Sequence, residues 1–278
     1  MWGAYWIPLR VLDASGFSGV LATGVIHVIP ALILLPLILI RRSSFRRGGI
    51  ALQSTGAAMA LAILLYSTAF LYTDVVRAVL LYYLTPIWGT LFARLWLAEK
   101  ISLDRIFGIV LGMAGMLIIF NIDQGLPAPK NPGDWMALGS GVIWALAATL
   151  TRRFPSQHAV DLVSTWIIWV AGLAILAMFF LPGTASIPTA EAYRSVLPWL
   201  VPLSLLVVLP VYLAITWGLS QLNPGTSGLL FMTEISVGTL TAAWLTSEVI
   251  GSREITGIIL ISLAGLSEVI LPALRNAL

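Results

Sequence analysis

Cysteine is absent from all 278 residues, which excludes a disulfide framework, a thiolate metal site and a thiol nucleophile. Charge is scarce: Asp, Glu, Lys and Arg make up 10% of the chain, where a soluble domain carries about a quarter. Histidine occurs twice. The chain has no glycine-rich phosphate loop and no His-Glu-His metal spacing, and no serine in an apolar run has a base beside it. The residues therefore call for no cofactor, no metal and no enzymatic activity. A cleavable signal is missing too, because Met1 leads directly into an aromatic stretch with neither a basic n-region nor a small-residue cleavage site.

Apolar side chain is what the chain has in excess. Hydrophobic residues make up 59% of it, and the mean hydropathy is +0.98. No soluble core of this size hides that much apolar surface, so the expected solvent is lipid. The runs are continuous and lack the alternation of a membrane barrel, which leaves helices as the spanning element. Breaks at Arg, Pro, Gly and Asp clusters divide the chain into ten expected spans, at 1–12, 18–40, 50–71, 76–97, 104–121, 134–152, 160–181, 197–219, 225–246 and 254–273. The first is shorter than the roughly 20 residues a span needs. Either the start of that helix is truncated or the helix is short.

Basic residues set the orientation. With the N-terminus inside, the inner face collects Arg41, Arg42, Arg46, Arg47, Arg94, Lys100, Arg105, Arg152, Arg153 and Arg275. The outer face collects Arg10, Arg77, Lys130, Arg194 and Arg253. The positive-inside rule then puts both termini in the cytoplasm of an inner-membrane protein. The net charge of +3 and the basic pI of 9.4 come from these inner loops, so no nucleic-acid partner is expected.

The sequence repeats. A shift of 149 positions superposes Leu80-Leu81 on Leu229-Leu230, Gly89-Thr90-Leu91 on Gly238-Thr239-Leu240, Glu99 on Glu248, and Gly108-Ile109 on Gly257-Ile258. A shift of 142 brings Trp2 onto Trp144, Arg10 onto Arg152 and His27 onto Trp169. Each copy holds five spans, and an odd number turns the second copy over relative to the first. The expected fold is therefore an all-α integral membrane protein of ten transmembrane helices in two inverted five-helix repeats. These occupy residues 1–122 and 134–278, joined by an external linker at 123–133. Carriers that work by alternating access use this plan, with the site near the midplane between the repeats.

The candidate site residues are the polar and aromatic groups at mid-membrane depth. Glu234 lies near the middle of its span, where an unpaired acid costs about 2.5–3.5 kcal/mol. It must face a partner or a wet cavity, and it suits a substrate ammonium group or a proton. Its repeat mate is Thr85, so the copies differ chemically at this depth. Tyr82, Thr85, Pro86 and Gly89 follow i, i+3, i+4, i+7 and are expected on one helix face, with Tyr82 as a ligand candidate and Gly89 as a packing residue. Tyr66, Trp6, Trp144, Trp169 and Trp217 suit a cavity for flat substrates; the plainer reading is interface anchoring or helix packing. Deep Trp166 belongs with them. His27 suits a proton shuttle or, more plainly, a polar residue bonded across helices. Asp74 and Arg77, three apart at a turn, read as a local ion pair. Glu99 and Glu248 read as structural acids at helix ends, and Glu268 has no evident partner.

Residues 69–119, from AFLYTDVVRAVLLYYLTPIWGT to GMAGMLII, resemble the fourth and fifth helices of the drug/metabolite transporter superfamily, EamA type. Residues 218–266, with LFMTEISVGTLTAAWLTSE, resemble its ninth and tenth. The Trp2-Gly3 start and the Pro86…Glu99 spacing are similar too, and the aromatic interior resembles the YddG-like aromatic amino-acid exporters. The chain departs from the pattern at His27, where the family usually has Arg, and at Ile235, where it often has Pro. The resemblance implies a secondary transporter exporting aromatic and neutral amino acids. An acid among aromatics suits hydrophobic cations equally, and a channel or a non-transporting scaffold is the alternative of another class. The expected partners are a small-molecule substrate and membrane lipid. A coupling proton stays open, as does the choice between monomer and homodimer.

The absence of cysteine makes the topology directly testable. In spheroplasts, Ser43→Cys should resist a membrane-impermeant maleimide and Pro129→Cys should react. The opposite labelling pattern would invert the topology.

Overall fold

The computed structural model describes residues 4–17, 19–120, 128–155, 157–180, 188–245 and 250–277, without the side chains of Trp6, Ala242 and residues 268–277. Trp2, Glu248 and residues 123–127 of the proposed linker lie outside the described residues, as does the side chain of Glu268. The described residues are helical throughout their ordered elements, with no strand. In chain order the helices are α1 (Trp6–Ala14), α2 (Gly19–Ile40), α3 (Arg42–Ala69), α4 (Val75–Tyr82), α5 (Thr85–Trp96), α6 (Leu103–Ile119), α7 (Pro132–Arg153), α8 (Ala159–Phe180), α9 (Ala190–Leu203), α10 (Leu209–Gln221), α11 (Pro224–Leu245) and α12 (Ser252–Ala277). A π-helical turn at Ser204–Val208 joins α9 to α10. Among the described residues, six stretches are long and apolar enough to cross a membrane: α2, α3, α4 with α5, α8, α9 through α10, and α11.

The helix starts follow local chemistry. The Ser102 hydroxyl accepts from Arg105 N at 3.2 Å to open α6. Asn131 Oδ1 accepts from Asp134 N at 2.8 Å to open α7, with Pro132 in the first turn. Thr189 Oγ1 accepts from Ala192 N at 3.2 Å to open α9. In each case a side-chain oxygen satisfies an amide that has no partner inside the helix. The Thr189 cap starts its helix well before residue 197, so part of the stretch between the expected spans at 160–181 and 197–219 is helical. Arg42–Gly48 forms a short helical segment ahead of a break at Gly49, and the long apolar part of α3 follows it.

The expected single span at 76–97 is interrupted. Proline at 86 has no N–H to donate to the Tyr82 carbonyl. The Thr85 hydroxyl donates to that carbonyl instead, at 2.5 Å, and the helix breaks at Tyr83–Leu84. Tyr82 therefore ends one helix while Thr85, Pro86 and Gly89 begin the next. This corrects the single face assigned to them from spacing.

Helix α7 crosses that break. A Cβ built on Gly141 would lie 2.5 Å from Tyr82 O and 3.1 Å from Thr85 Oγ1, so glycine is what allows the contact. Further seams pair helices across the two copies: α3 with α7 and α8, α2 with α8, α5 with α11, and α6 along α12. The last of these closes at a mutual glycine crossing. A Cβ on Gly115 would meet Gly257 O at 2.7 Å, and one on Gly257 would meet Gly115 O at 2.6 Å. Backbones approach this closely where small residues face each other, the usual device for helices packed in lipid.

Two ion-pair clasps hold the ends. Arg41, after α2, donates to Asp161 of α8 through Nε at 2.5 Å and Nη2 at 3.0 Å, and Ser44 Oγ adds a bond at 2.5 Å. At the opposite end Arg77 donates to fully buried Asp134 of α7 through Nη2 at 2.5 Å and Nε at 3.3 Å. Thr73 Oγ1 and Lys130 N also donate to Asp134, at 2.5 and 2.9 Å. The expected local pair of Arg77 with Asp74 is thus replaced by a long-range one. Asp74 lies on an exposed turn and Asp134 is enclosed, and a buried carboxylate gains far more from the guanidinium fork than a hydrated one does.

Gly141→Ala should destabilise the protein by about 1–3 kcal/mol, because its methyl group meets backbone that cannot move aside. A Cβ at Gly139 would meet only Leu65 Cδ1, at 3.9 Å, so Gly139→Ala should be neutral or stabilising. Thermal unfolding in detergent compares the two. Equal midpoints would remove the close crossing as a constraint.

Candidate functional site

Glu234 sits about midway along α11, and its carboxylate lies between the two copies. Tyr83 Oη, at the α4–α5 break, donates to Glu234 Oε2 at 3.2 Å. Three tyrosines from the first copy gather there. The Tyr82 and Tyr83 ring centroids are 5.0 Å apart and edge-on, and those of Tyr66 and Tyr82 are 4.5 Å apart. Tyr66 also packs edge-on against Phe70 at 4.8 Å. All three tyrosines lie within electrostatic reach of the Glu234 carboxylate. Tyr83 is buried, whereas Tyr66, Tyr82 and Glu234 each keep some exposed surface. The α4–α5 break turns Tyr83 toward Glu234.

An aromatic column continues from the site into the core. Phe231 lies one helical turn before Glu234, on the same face of α11. Its ring is 5.9 Å from that of Trp144 on α7, and Trp144 is 5.6 Å from Trp166 on α8. Trp166 stacks on Tyr212 of α10 at 4.0 Å with nearly parallel planes. Tyr212 Oη and His27 Nε2 are 2.7 Å apart, and His27 Nδ1 lies 2.7 Å from Thr23 O. A carbonyl can only accept, so Nδ1 carries the hydrogen and Nε2 accepts from Tyr212. Both nitrogens of fully buried His27 are thus occupied in a bond across helices.

The structure brings together Glu234, Tyr82, Tyr66 and Trp144, and connects His27 to them through the column. Two candidates stand apart. Trp169 is 38% exposed, with Nε1 donating to Gln53 Oε1 at 2.9 Å. Trp217 is 66% exposed and lines a separate surface cleft beside Gln157 and His158. Both lie on the outside of the helix bundle, and depth along a helix does not distinguish its outward face from its inward one. The backbone of Trp6 belongs to α1, and its side chain lies outside the described residues. Tyr83 and Tyr212 were missed. On a continuous helix Tyr83 would point about 100° away from Tyr82, but Pro86 disfavours helix just before it, and that was the available signal. No three or more His, Cys, Asp or Glu side chains converge as metal ligands among the described residues.

A carboxylate walled by tyrosine rings can hold a cationic group, because the acid supplies charge and the ring faces add cation–π attraction. It can also take up a proton. The EamA-like transporter family matches residues 1–121 and again residues 131–267. The chain belongs to the EamA-like transporter family. As an EamA-like protein it is a multi-pass membrane protein, and the family points to transport of small molecules and not to enzymatic chemistry. None of the curated proteins matches its sequence. Of 29 solved chains that match its fold, one crystal structure, described only as that of a protein, aligns with a TM-score of 0.76 at 19% identity. The alignment covers 99% of this chain and 94% of the other. At that identity the likeness establishes a shared fold.

A double-mutant cycle tests the Tyr83–Glu234 contact. Tyr83→Phe should cost about 1–2 kcal/mol of stability in the wild-type background, read from thermal unfolding. Most of that cost should vanish in Glu234→Leu. Strictly additive effects would mean the two groups do not interact.

Proposed function

We propose that this EamA-like protein is a secondary exporter of amino acids, aromatic and neutral ones above all, working by alternating access in an inner membrane. In this reading ten helices form two inverted repeats with both termini in the cytoplasm. One observation carries the proposal: a carboxylate at mid-helix depth, between the copies, is enclosed by Tyr66, Tyr82 and Tyr83. Glu234 holds the substrate ammonium, and the tyrosine rings with Phe231 pack its side chain. A proton competing for Glu234 is the simplest means of coupling. The clasps at Arg41–Asp161 and Arg77–Asp134 join the copies at opposite ends, so opening either end requires loosening one clasp while the other holds.

The tyrosine walls also favour a second reading, export of hydrophobic cations, since ring faces attract a quaternary amine without any carboxylate on the ligand. Anionic sugars fit neither reading, because the deep charge is negative.

Counterflow in proteoliposomes separates these cases. Amino acids should compete and sugars should not, and Glu234→Gln should cut flux at least tenfold while leaving expression and monodispersity intact. Competition by quaternary amines alone would select the second reading. Unsaturable flux without counterflow would indicate a channel, and undiminished flux in Glu234→Gln would remove the assigned role.

A further inference from the structure

Two neighbouring donors in the core have no acceptor among the described residues. Trp144 Nε1 and Trp166 Nε1 are both buried, and neither finds a hydrogen-bond partner there. Trp144 is 4% exposed and Trp166 is fully enclosed. A buried indole N–H ordinarily reaches an acceptor, and one that does not bears the cost of lost hydration without return. Thr23, Trp88, Gln157 and Ser236 also hold unpartnered buried atoms, but Trp144 and Trp166 are the pair whose rings are in contact, at 5.6 Å.

Their surroundings hold these donors in place and put them beside the site. Trp166 is stacked on Tyr212, which His27 fixes in turn. Trp144 lies one turn beyond Gly141, where α7 presses against the α4–α5 break, and its ring abuts Phe231. Phe231 and Glu234 are neighbours on α11, about 5–6 Å apart. The negative group and the paired donors are thus separated by roughly one ring and one helical turn. A ligand that enters between them meets a negative group at one end and donors at the other.

We propose that Trp144 and Trp166 form a carboxylate subsite, whose two indole N–H groups receive the substrate carboxylate when the seam between the copies opens. The assignment rests on Glu234 as the ammonium site, and it narrows the substrate class to molecules with both charges. Indole nitrogens donate and never accept, so this end of the site repels an ammonium group and rewards an anionic oxygen. A bare amine engages only the Glu234 end.

The test uses ligands that separate the two ends: L-phenylalanine, phenethylamine without the carboxylate, and 3-phenylpropanoate without the ammonium. Trp144→Phe and Trp166→Phe keep a flat ring and remove the donor. Each should weaken competition by phenylalanine about tenfold in counterflow and change competition by phenethylamine less than twofold. Equal loss for both ligands, or no loss for either, would overturn the subsite. Thermal shift of the purified protein reads the donors without flux. Stabilisation of the wild type by millimolar 3-phenylpropanoate, lost in Trp144→Phe, supports the subsite even if phenylalanine is not transported, an outcome that would sink the amino-acid reading alone. No stabilisation of the wild type by 3-phenylpropanoate would overturn the subsite whatever the flux shows.

Discussion

The site depends on the contact where α7 crosses the interrupted helix α4–α5 at Gly141. Lipid offers no hydrogen bonds to exposed backbone, so a helix can break inside a membrane only where other protein covers the break. Here Pro86 creates the break, the Thr85 hydroxyl takes up the carbonyl that proline leaves unserved, and α7 lies directly on top. A side chain at 141 would hold the helices apart. Because they touch, Tyr83 reaches Glu234 and Trp144 reaches Phe231. The first contact links the copies and the second extends the site into the aromatic column.

Three buried ionisable side chains obey a similar constraint. Asp134 and Asp161 are almost wholly enclosed, and each is met by an arginine fork together with hydroxyl donors. His27 has both nitrogens bonded. Glu234 differs: it keeps some exposed surface, and its partner is a neutral phenol. A carboxylate matched by an arginine is a fastening, whereas Glu234 has no cationic side-chain partner among the described residues.

The two copies share helix order and diverge where they meet. Glu234 has Thr85 as its repeat mate, and Thr85 serves the backbone break instead of the cavity. Helix α7 packs against α3, α4, α5, α10 and α11, while its counterpart α1 lies chiefly against α2. The site therefore draws Tyr66, Tyr82 and Tyr83 from one copy and Glu234, Trp144 and Trp166 from the other. Neither copy by itself assembles an acid enclosed by tyrosine rings.

Much of this was legible in the residues. Hydropathy located most of the helices to within a few positions, the starts of α3 and α9 and the break between α4 and α5 excepted, since an apolar run of that length has no other stable form in lipid. The caps at Ser102, Asn131 and Thr189 fall where short polar side chains precede apolar runs. Glu234 stood out because an acid at that depth is costly, and Tyr82, Tyr66 and Trp144 because deep polar-tipped rings need neighbours. Depth along a helix is a one-dimensional quantity, and sequence supplies it. Which way a ring points around the helix depends on packing, so Trp169 and Trp217 could not be told from Trp144. Arg77 was placed with Asp74, its neighbour in sequence, because Asp134 is 57 positions away in the chain and only folding brings it near. The composition, the repeat and the mid-span acid thus determined a duplicated helical membrane protein with an acid near the middle of one helix. The tertiary structure decided which rings surround that acid, through a helix break and a glycine crossing whose consequences are contacts between distant segments.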